Sequence, residues 1–152
     1  LDRQFDAVFI HDAISYLTIE DELAKAIETA YIHCRPGGVA LFAPDYTRET
    51  YQPSTSHGGK DSGDRSLRYL EWVWDPDPDD SVYIMDMVYL MRDGHDVTSQ
   101  SDRHIMGLFS DDKWLQLIND AGFAARITEY KTDSYPPMGT QVFLGLKPDT
   151  NG

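Results

Sequence analysis

Phe5-Asp6-Ala7-Val8-Phe9-Ile10 and Val39-Ala40-Leu41-Phe42-Ala43 are short apolar runs with little alternation, and a helical stripe lies between them. Such runs read as strands of a parallel sheet covered on both faces. In the intervening stretch Leu23, Ala26, Ile27, Ala30, Tyr31 and Cys34 recur at steps of three and four, which makes one apolar face of a helix. Thr18 reads as its cap, with Glu20, Asp21 and Glu22 at the positive end of the helix dipole. Arg35-Pro36-Gly37-Gly38 reads as its stop, because proline disfavours continuation and glycine tolerates left-handed geometry. Strand, helix and strand with short joints form a parallel crossover, a unit that is normally right-handed. His11-Asp12 and Pro44-Asp45 then mark where the two strands end.

The rest of the chain carries other periods. From Tyr46 to Arg65 it is polar and aperiodic, and reads as a long loop, mobile between Tyr51 and Gly63. Leu67 to Trp74, Ser81 to Arg92 and His95 to Met106 read as three strands of an antiparallel meander, with Asp93-Gly94 as a hairpin turn. Ser110 reads as the cap of a second helix that buries Trp114, Leu115, Leu117, Ile118 and Ala121 and ends at Gly122. Phe123 to Tyr130 and Gln141 to Leu146 close the chain as two strands around Pro136-Pro137. The fold class is therefore α/β, with residues 1–152 as one domain and 46–108 as a long loop plus inserted antiparallel β-meander.

Charge and cysteine content narrow the function classes. Thirteen Lys and Arg stand against 26 Asp and Glu, a net charge of −13. Nucleic acid and anionic membrane surfaces repel such a chain, and no local basic patch offsets this. The one cysteine, Cys34, has no partner for an internal disulfide, which points to a reducing compartment and a cytoplasmic protein. The apolar runs fall far below the roughly 20 residues of a membrane span. A start without Met, one step before a strand, suggests a piece of something longer.

The order of these pieces resembles the second half of the class I S-adenosylmethionine-dependent methyltransferases. Phe5-Asp6-Ala7-Val8 through Tyr16-Leu17, the Arg35-Pro36-Gly37-Gly38 junction and the following strand carry the likeness. So do Asp120-Ala121-Gly122-Phe123, similar to the last helix-to-strand junction, and the closing strand Gln141 to Leu146. The meander ending Asp102-Arg103-His104-Ile105-Met106-Gly107-Leu108-Phe109 is similar to small-molecule N-methyltransferases, notably amino-sugar N,N-dimethyltransferases. The family's glycine-rich loop after its first strand, and the acidic residue after the second, have no counterpart here. Gly37-Gly38 follows a helix and Gly58-Gly59 lies in the loop, so neither reads as a cradle. Three strand-helix units of about 30 residues, roughly 90 in all, are expected to precede this piece.

The resemblance implies S-adenosylmethionine as cofactor and a small-molecule acceptor, N-methylation ahead of O-methylation, with this chain carrying the substrate side of the cleft. Ligands in open parallel sheets sit beyond the carboxyl ends of the strands. His11 and Asp12 are accordingly the expected cofactor-facing residues, against a plain reading as a strand-end histidine and a helix cap. Tyr16 either walls the acceptor pocket or belongs to the core. Asp45, Tyr46 and Arg48 either contact the acceptor or merely open a loop. His104 is the candidate catalytic base, because a neutral imidazole takes up a proton near pH 7; an exposed strand histidine is the alternative. Its neighbour Arg103 falls on the opposite face of a regular strand. His57 with Gly58-Gly59 has a lid-like composition but reads more readily as solvated linker; Tyr69, Trp72 and Trp74 suggest core or an oligomer surface ahead of an aromatic acceptor pocket, with a homodimer through the meander as the expected partner.

Other chemistries fail on detail. Asp75, Asp77 and Asp79 are spaced like the start of a calcium loop, but Asp80 stands where Gly is needed, Pro76 and Pro78 stiffen the loop, and Asp86 replaces the bidentate Glu. The five histidines show no metal-ligand spacing, and no Gly-x-Ser-x-Gly elbow exists. The competing class is a non-catalytic α/β module whose meander binds a partner or a second copy.

Overall fold

The computed structural model describes residues 3–129 and 141–149. Its chain divides into two compact units, Leu1–Tyr51 with Gly107–Gly152, and Gln52–Met106. In the first unit, β1 (Phe5–His11) leads through a single 3-10 turn (Ala13–Tyr16) into α1 (Glu20–His33) and β2 (Cys34–Ala43). α2 (Asp111–Asp120) and β7 (Ala124–Glu129) precede the closing β8 (Gln141–Leu146). The sheet order is β1-β2-β8-β7. β1 and β2 are parallel, while β8 runs antiparallel to both β2 and β7. The crossover and the antiparallel closing strand are thus as the sequence reads.

One core holds this unit together. Leu23, Ile27 and Ala30 of α1 and Trp114, Leu117 and Ile118 of α2 pack on Ala40, Phe42 and Phe143 of the sheet. Trp114 stacks on Phe143 with ring centres 5.1 Å apart, an arrangement that adds to plain area burial. The second helix begins as expected, with Ser110 Oγ accepting from the Lys113 N–H. Lys147, just past β8, donates to the carbonyls of Tyr31 and Cys34 and lies over the Tyr31 ring, so a cation closes the negative end of α1.

Four expectations are corrected in this unit. β1 is covered on one face only: Val8 and Ile10 pack on the core, while Phe9 keeps 63% of its surface exposed. Both helices join the same core and β1 stands at the end of the sheet, so among the described residues no second layer covers its outward side chains. Ile19, not Thr18, occupies the cap position of α1, and the acidic first turn supplies the favourable charge. Cys34 belongs to β2, not to the helix. Arg35-Pro36-Gly37-Gly38 likewise lies inside β2, where it forms an irregularity: Phe5 pairs with Cys34 but Ala7 already pairs with Val39. Gly37 supplies the positive φ of 73° that this bulge requires.

The second unit is a four-stranded antiparallel sheet in the order β3-β4-β5-β6, comprising β3 (Ser54–Ser62), β4 (Arg65–Trp74), β5 (Val82–Asp93) and β6 (Asp96–Gly107). Half of the stretch expected as a loop, from Tyr46 to Arg65, is therefore strand, and β3 stands where a mobile lid or solvated linker was expected between Tyr51 and Gly63. Its polar residues are held across the ladder rather than by burial. Ser56 Oγ donates to Glu71, and Arg68 grips both carboxylate oxygens of Asp61. Gly58 and Gly59 lie under the Tyr69 ring and the Arg68 side chain, where a Cβ would collide. His57 pairs with Leu70 within the ladder. The Pro136-Pro137 loop and Tyr130 lie outside the described residues.

Candidate active site at two strand tips

Parallel pairing carries β1 and β2 out of the sheet side by side, with His11 opposite Ala43. Beyond that register the backbone of Asp12 turns at φ 48° and ψ −63°, the one positive φ recorded for a non-glycine among the described residues. Side chains avoid this region, so the turn is held against a local cost of order 1–3 kcal/mol. What holds it is visible. The Ser15 N–H donates to the Asp12 carbonyl at 2.9 Å, starting the 3-10 turn, and Ile14 and Ser15 are buried beneath it. His11 Nδ1 lies 2.7 Å from Asp12 Oδ1, and Phe9 stacks on the His11 ring.

The second tip is tied to the first. The Asp45 N–H donates to Ser15 Oγ at 3.1 Å. Thr47, buried, then organises a tight turn: its N–H donates to Thr50 Oγ1 and its carbonyl accepts from the N–H groups of Thr50 and Tyr51. Tyr46 and Tyr51 meet edge to face across that turn, with centres 5.7 Å apart. The Arg48 N–H donates to the Phe109 carbonyl, and Glu49 accepts from the Asp111 N–H at the head of α2. Gly107 lets the returning chain pass against the Leu17 carbonyl, where a Cβ would collide.

His11, Asp12, Tyr16, Asp45, Tyr46 and Arg48 therefore belong to one rim. His11 and Asp12 keep their polar ends exposed, and Tyr16 keeps half its surface exposed. Ser15 and Thr47 are the organising residues that sequence reasoning missed. A hydroxyl that bonds a backbone 30 residues away leaves no local pattern, although its burial beside strained Asp12 identifies Ser15 once the fold is known. The rim carries exposed carboxylate, imidazole, phenol and guanidinium groups, a set suited to binding and orienting a polar molecule. Cys34 offers no nucleophile, since burial pushes its thiol above the ordinary range despite Lys147 and Arg35 nearby.

His104 lies in the second unit, on β6. Its Nε2 stands 3.5 Å from Asp102 Oδ2, an ion pair when the imidazole is protonated. Arg103 faces the other way, as strand alternation requires: it makes two bonds to Asp86 and lies over Trp74. Arg103 and, secondarily, the Trp74 indole N–H hold the Asp86 carboxyl below the usual carboxylate range. Two surface hollows, of about 260 and 480 Å³, lie near the β3–β4 and β5–β6 turns, at the start of β4 and the end of β5. The arginines that line them are tied to Asp61, to Asp93 and to Ser66 with the Gly94 carbonyl, so they offer no free cationic cluster for a ligand. Among the described residues no group of His, Cys, Asp and Glu is placed to hold a metal ion. No helix among them is long and apolar enough to cross a membrane.

A parallel pair continued by antiparallel closing strands, with an inserted meander, is a mixed α/β arrangement of the methyltransferase-like kind. No family model matches the sequence, and no curated protein matches it. Solved structures do. Streptomyces venezuelae DesVI superposes with a TM-score of 0.83 at 24% identity, covering 97% of this chain and 60% of that one. The sugar N-methyltransferase KedS8 from Streptoalloteichus gives 0.80 at 24% identity, covering 98% and 58%. CalS10, an amino pentose methyltransferase from Micromonospora echinaspora solved with S-adenosylmethionine bound, gives 0.81 at 19% identity, covering 97% and 60%. The chain thus shares their fold across nearly its whole length while spanning about three fifths of theirs.

Proposed function

We propose that this chain is the substrate-side part of a class I S-adenosylmethionine-dependent methyltransferase that methylates a small-molecule amine. The observation that carries the reading is the joined pair of strand tips, with Asp12 held at a positive φ beside His11 and Ser15 bonded to Asp45. Backbone strain kept at a ligand-facing strand end is the kind of cost that function retains. The likeness to a sugar N-methyltransferase and an amino pentose methyltransferase supports an amine acceptor.

S-adenosylmethionine, when bound, supplies a methyl group on a sulfonium. The glycine-rich cradle for that cofactor is not in this chain: Gly37 and Gly38 lie in the β2 irregularity and Gly58 and Gly59 in β3. In this reading a preceding stretch of the longer protein supplies the cradle. His11 and Asp12 face the cofactor with an imidazole and a carboxylate, and Tyr16, Asp45, Tyr46 and Arg48 orient the acceptor. Orientation is the larger contribution, about 7–11 kcal/mol of the barrier for well-aligned partners. The amine must lose a proton as nitrogen gains the methyl carbon. His104 is the proposed acceptor of that proton, and Asp102 is placed to pair with the imidazolium that results.

Steady-state methyl transfer by the longer protein tests the assignment. His104→Ala is expected to lower kcat by about 10²–10⁴-fold while leaving cofactor affinity nearly intact. Unchanged turnover removes His104 as the base, and absence of any methyl transfer to amines by the wild type removes the reading itself.

A further inference from the structure

The segment 45–51 carries three of the proposed acceptor residues, yet it belongs to no helix or strand. A loop of that kind samples many arrangements unless something ties it down. This one is tied at three points. The Asp45 N–H donates to Ser15 Oγ, the Arg48 N–H donates to the Phe109 carbonyl, and Glu49 Oε2 accepts the Asp111 N–H at 2.9 Å. Arg48 and Glu49 are the central residues of the turn that Thr47 closes onto Thr50, so the last two ties grip the turn itself. Ser15 and Phe109 are buried partners, whereas Glu49 is an exposed side chain.

The Glu49 bond is not needed to begin α2. Ser110 Oγ already accepts the Lys113 N–H, the Trp114 N–H bonds the Ser110 carbonyl, and Asp111 and Asp112 place negative charge in the first turn. Glu49 comes to this end from 62 residues away and against the repulsion of those two carboxylates. What it gains is a backbone donor at the positive end of the helix. The helix is the fixed partner, because Trp114, Leu117 and Ile118 anchor it in the core. The bond therefore acts on the loop.

We propose that Glu49 is a positioning residue for the acceptor: its bond to the Asp111 N–H holds the 47–50 turn so that Tyr46 and Arg48 are in place before the acceptor arrives. The proposal rests on the methyltransferase function proposed above and adds to it a residue that touches no substrate. Its physical content is pre-organisation. When only a fraction of molecules hold the competent arrangement, the apparent affinity for a ligand is reduced by that fraction. Once the acceptor is seated, its own contacts hold the loop, and the transfer step proceeds as before. Loss of the latch is thus felt in acceptor binding and not in the chemical step or in cofactor binding.

Two variants of the longer protein break the bond from opposite sides. Glu49→Ala removes the acceptor oxygen at an exposed position. Asp111→Pro removes the N–H: proline suits the first residue of a helix, and Ser110 before it already has the extended backbone that proline requires, at φ −72° and ψ 158°. Each is expected to raise the acceptor KM by about tenfold, with kcat within about twofold and the dissociation constant for S-adenosylmethionine unchanged. The double variant should be no worse than either single one, since both remove the same bond. Glu49→Gln keeps a carbonyl oxygen and is expected to recover most of the loss. Hydrogen exchange should show the Arg48, Thr50 and Tyr51 amides exchanging faster in both single variants. An unchanged acceptor KM in both, a fall in kcat alone, additive losses, or Glu49→Gln as impaired as Glu49→Ala overturns the proposal. So does unaltered exchange. Absence of methyl transfer to amines by the wild type removes the proposed function and this inference with it, whereas an active wild type with unmoved variants removes the inference alone.

Discussion

The hydroxyl of Ser15 accepts the backbone N–H of Asp45 at 3.1 Å, and through it the turn after β1 is bonded to the turn after β2. Ser15 is 3% exposed, so water cannot replace the bond if the hydroxyl is removed. Both tips carry candidate ligand-facing residues, and parallel pairing alone would leave them adjacent but free to move separately.

Ser15→Ala leaves the Asp45 N–H without this acceptor. The variant is expected to lose about 1–2 kcal/mol of stability, read from the urea midpoint. Ser15→Thr, which keeps a hydroxyl, should recover part of the loss if the added methyl group fits.

Asp12→Gly separates strain from function. Glycine accepts a φ of 48° at little cost, so the variant is expected to gain up to about 1 kcal/mol while losing the side chain that faces the proposed cofactor. Thermal melts that fall below the wild type would show that Asp12 is not held against its preference.

The aromatic centre of the first unit should be the most sensitive position to truncation. Trp114 is 2% exposed and packs on both Phe42 and Phe143. Trp114→Ala is expected to cost about 3–5 kcal/mol by the same unfolding measurement.

Acid should loosen the second unit through Asp86. Its carboxyl is held below the ordinary range by Arg103 and Trp74, so the folded state binds the proton more weakly than the unfolded chain does. That stabilisation is fully present above the unfolded carboxyl value of about 3.9 and is lost as pH falls through the lower folded value. The stacked Trp72 and Trp74 should report it as a fluorescence change. Asp86→Asn is expected to flatten the acid limb of that titration.

Legibility in the sequence followed the source of each element's stability. The crossover, α2 and β8 are written in apolar periods because burial makes them. β3 is not, since Ser56, Asp61 and the two glycines meet partners on β4 that no window of sequence contains. A signal for it did exist: Gly63-Asp64 is a two-residue hairpin turn between two polar runs. Arg35 to Gly38 misled because helix stops and strand bulges use the same residues, and only pairing with β1 separates them. At the site the polar strand ends were readable from the rim rule, whereas Ser15 and Thr47 act through backbone groups that are distant or turned inward.

Titration calorimetry with S-adenosylmethionine tests the central claim most directly, using the longer protein, its Asp12→Asn form and this 152-residue chain. The account predicts binding by the longer protein, affinity weakened by about tenfold or more in Asp12→Asn with an unchanged melt, and no binding by the chain alone; about 1.4 kcal/mol separates the first two. Equal affinity in the variant would contradict a cofactor at this rim, and no binding by the longer protein would contradict the enzyme.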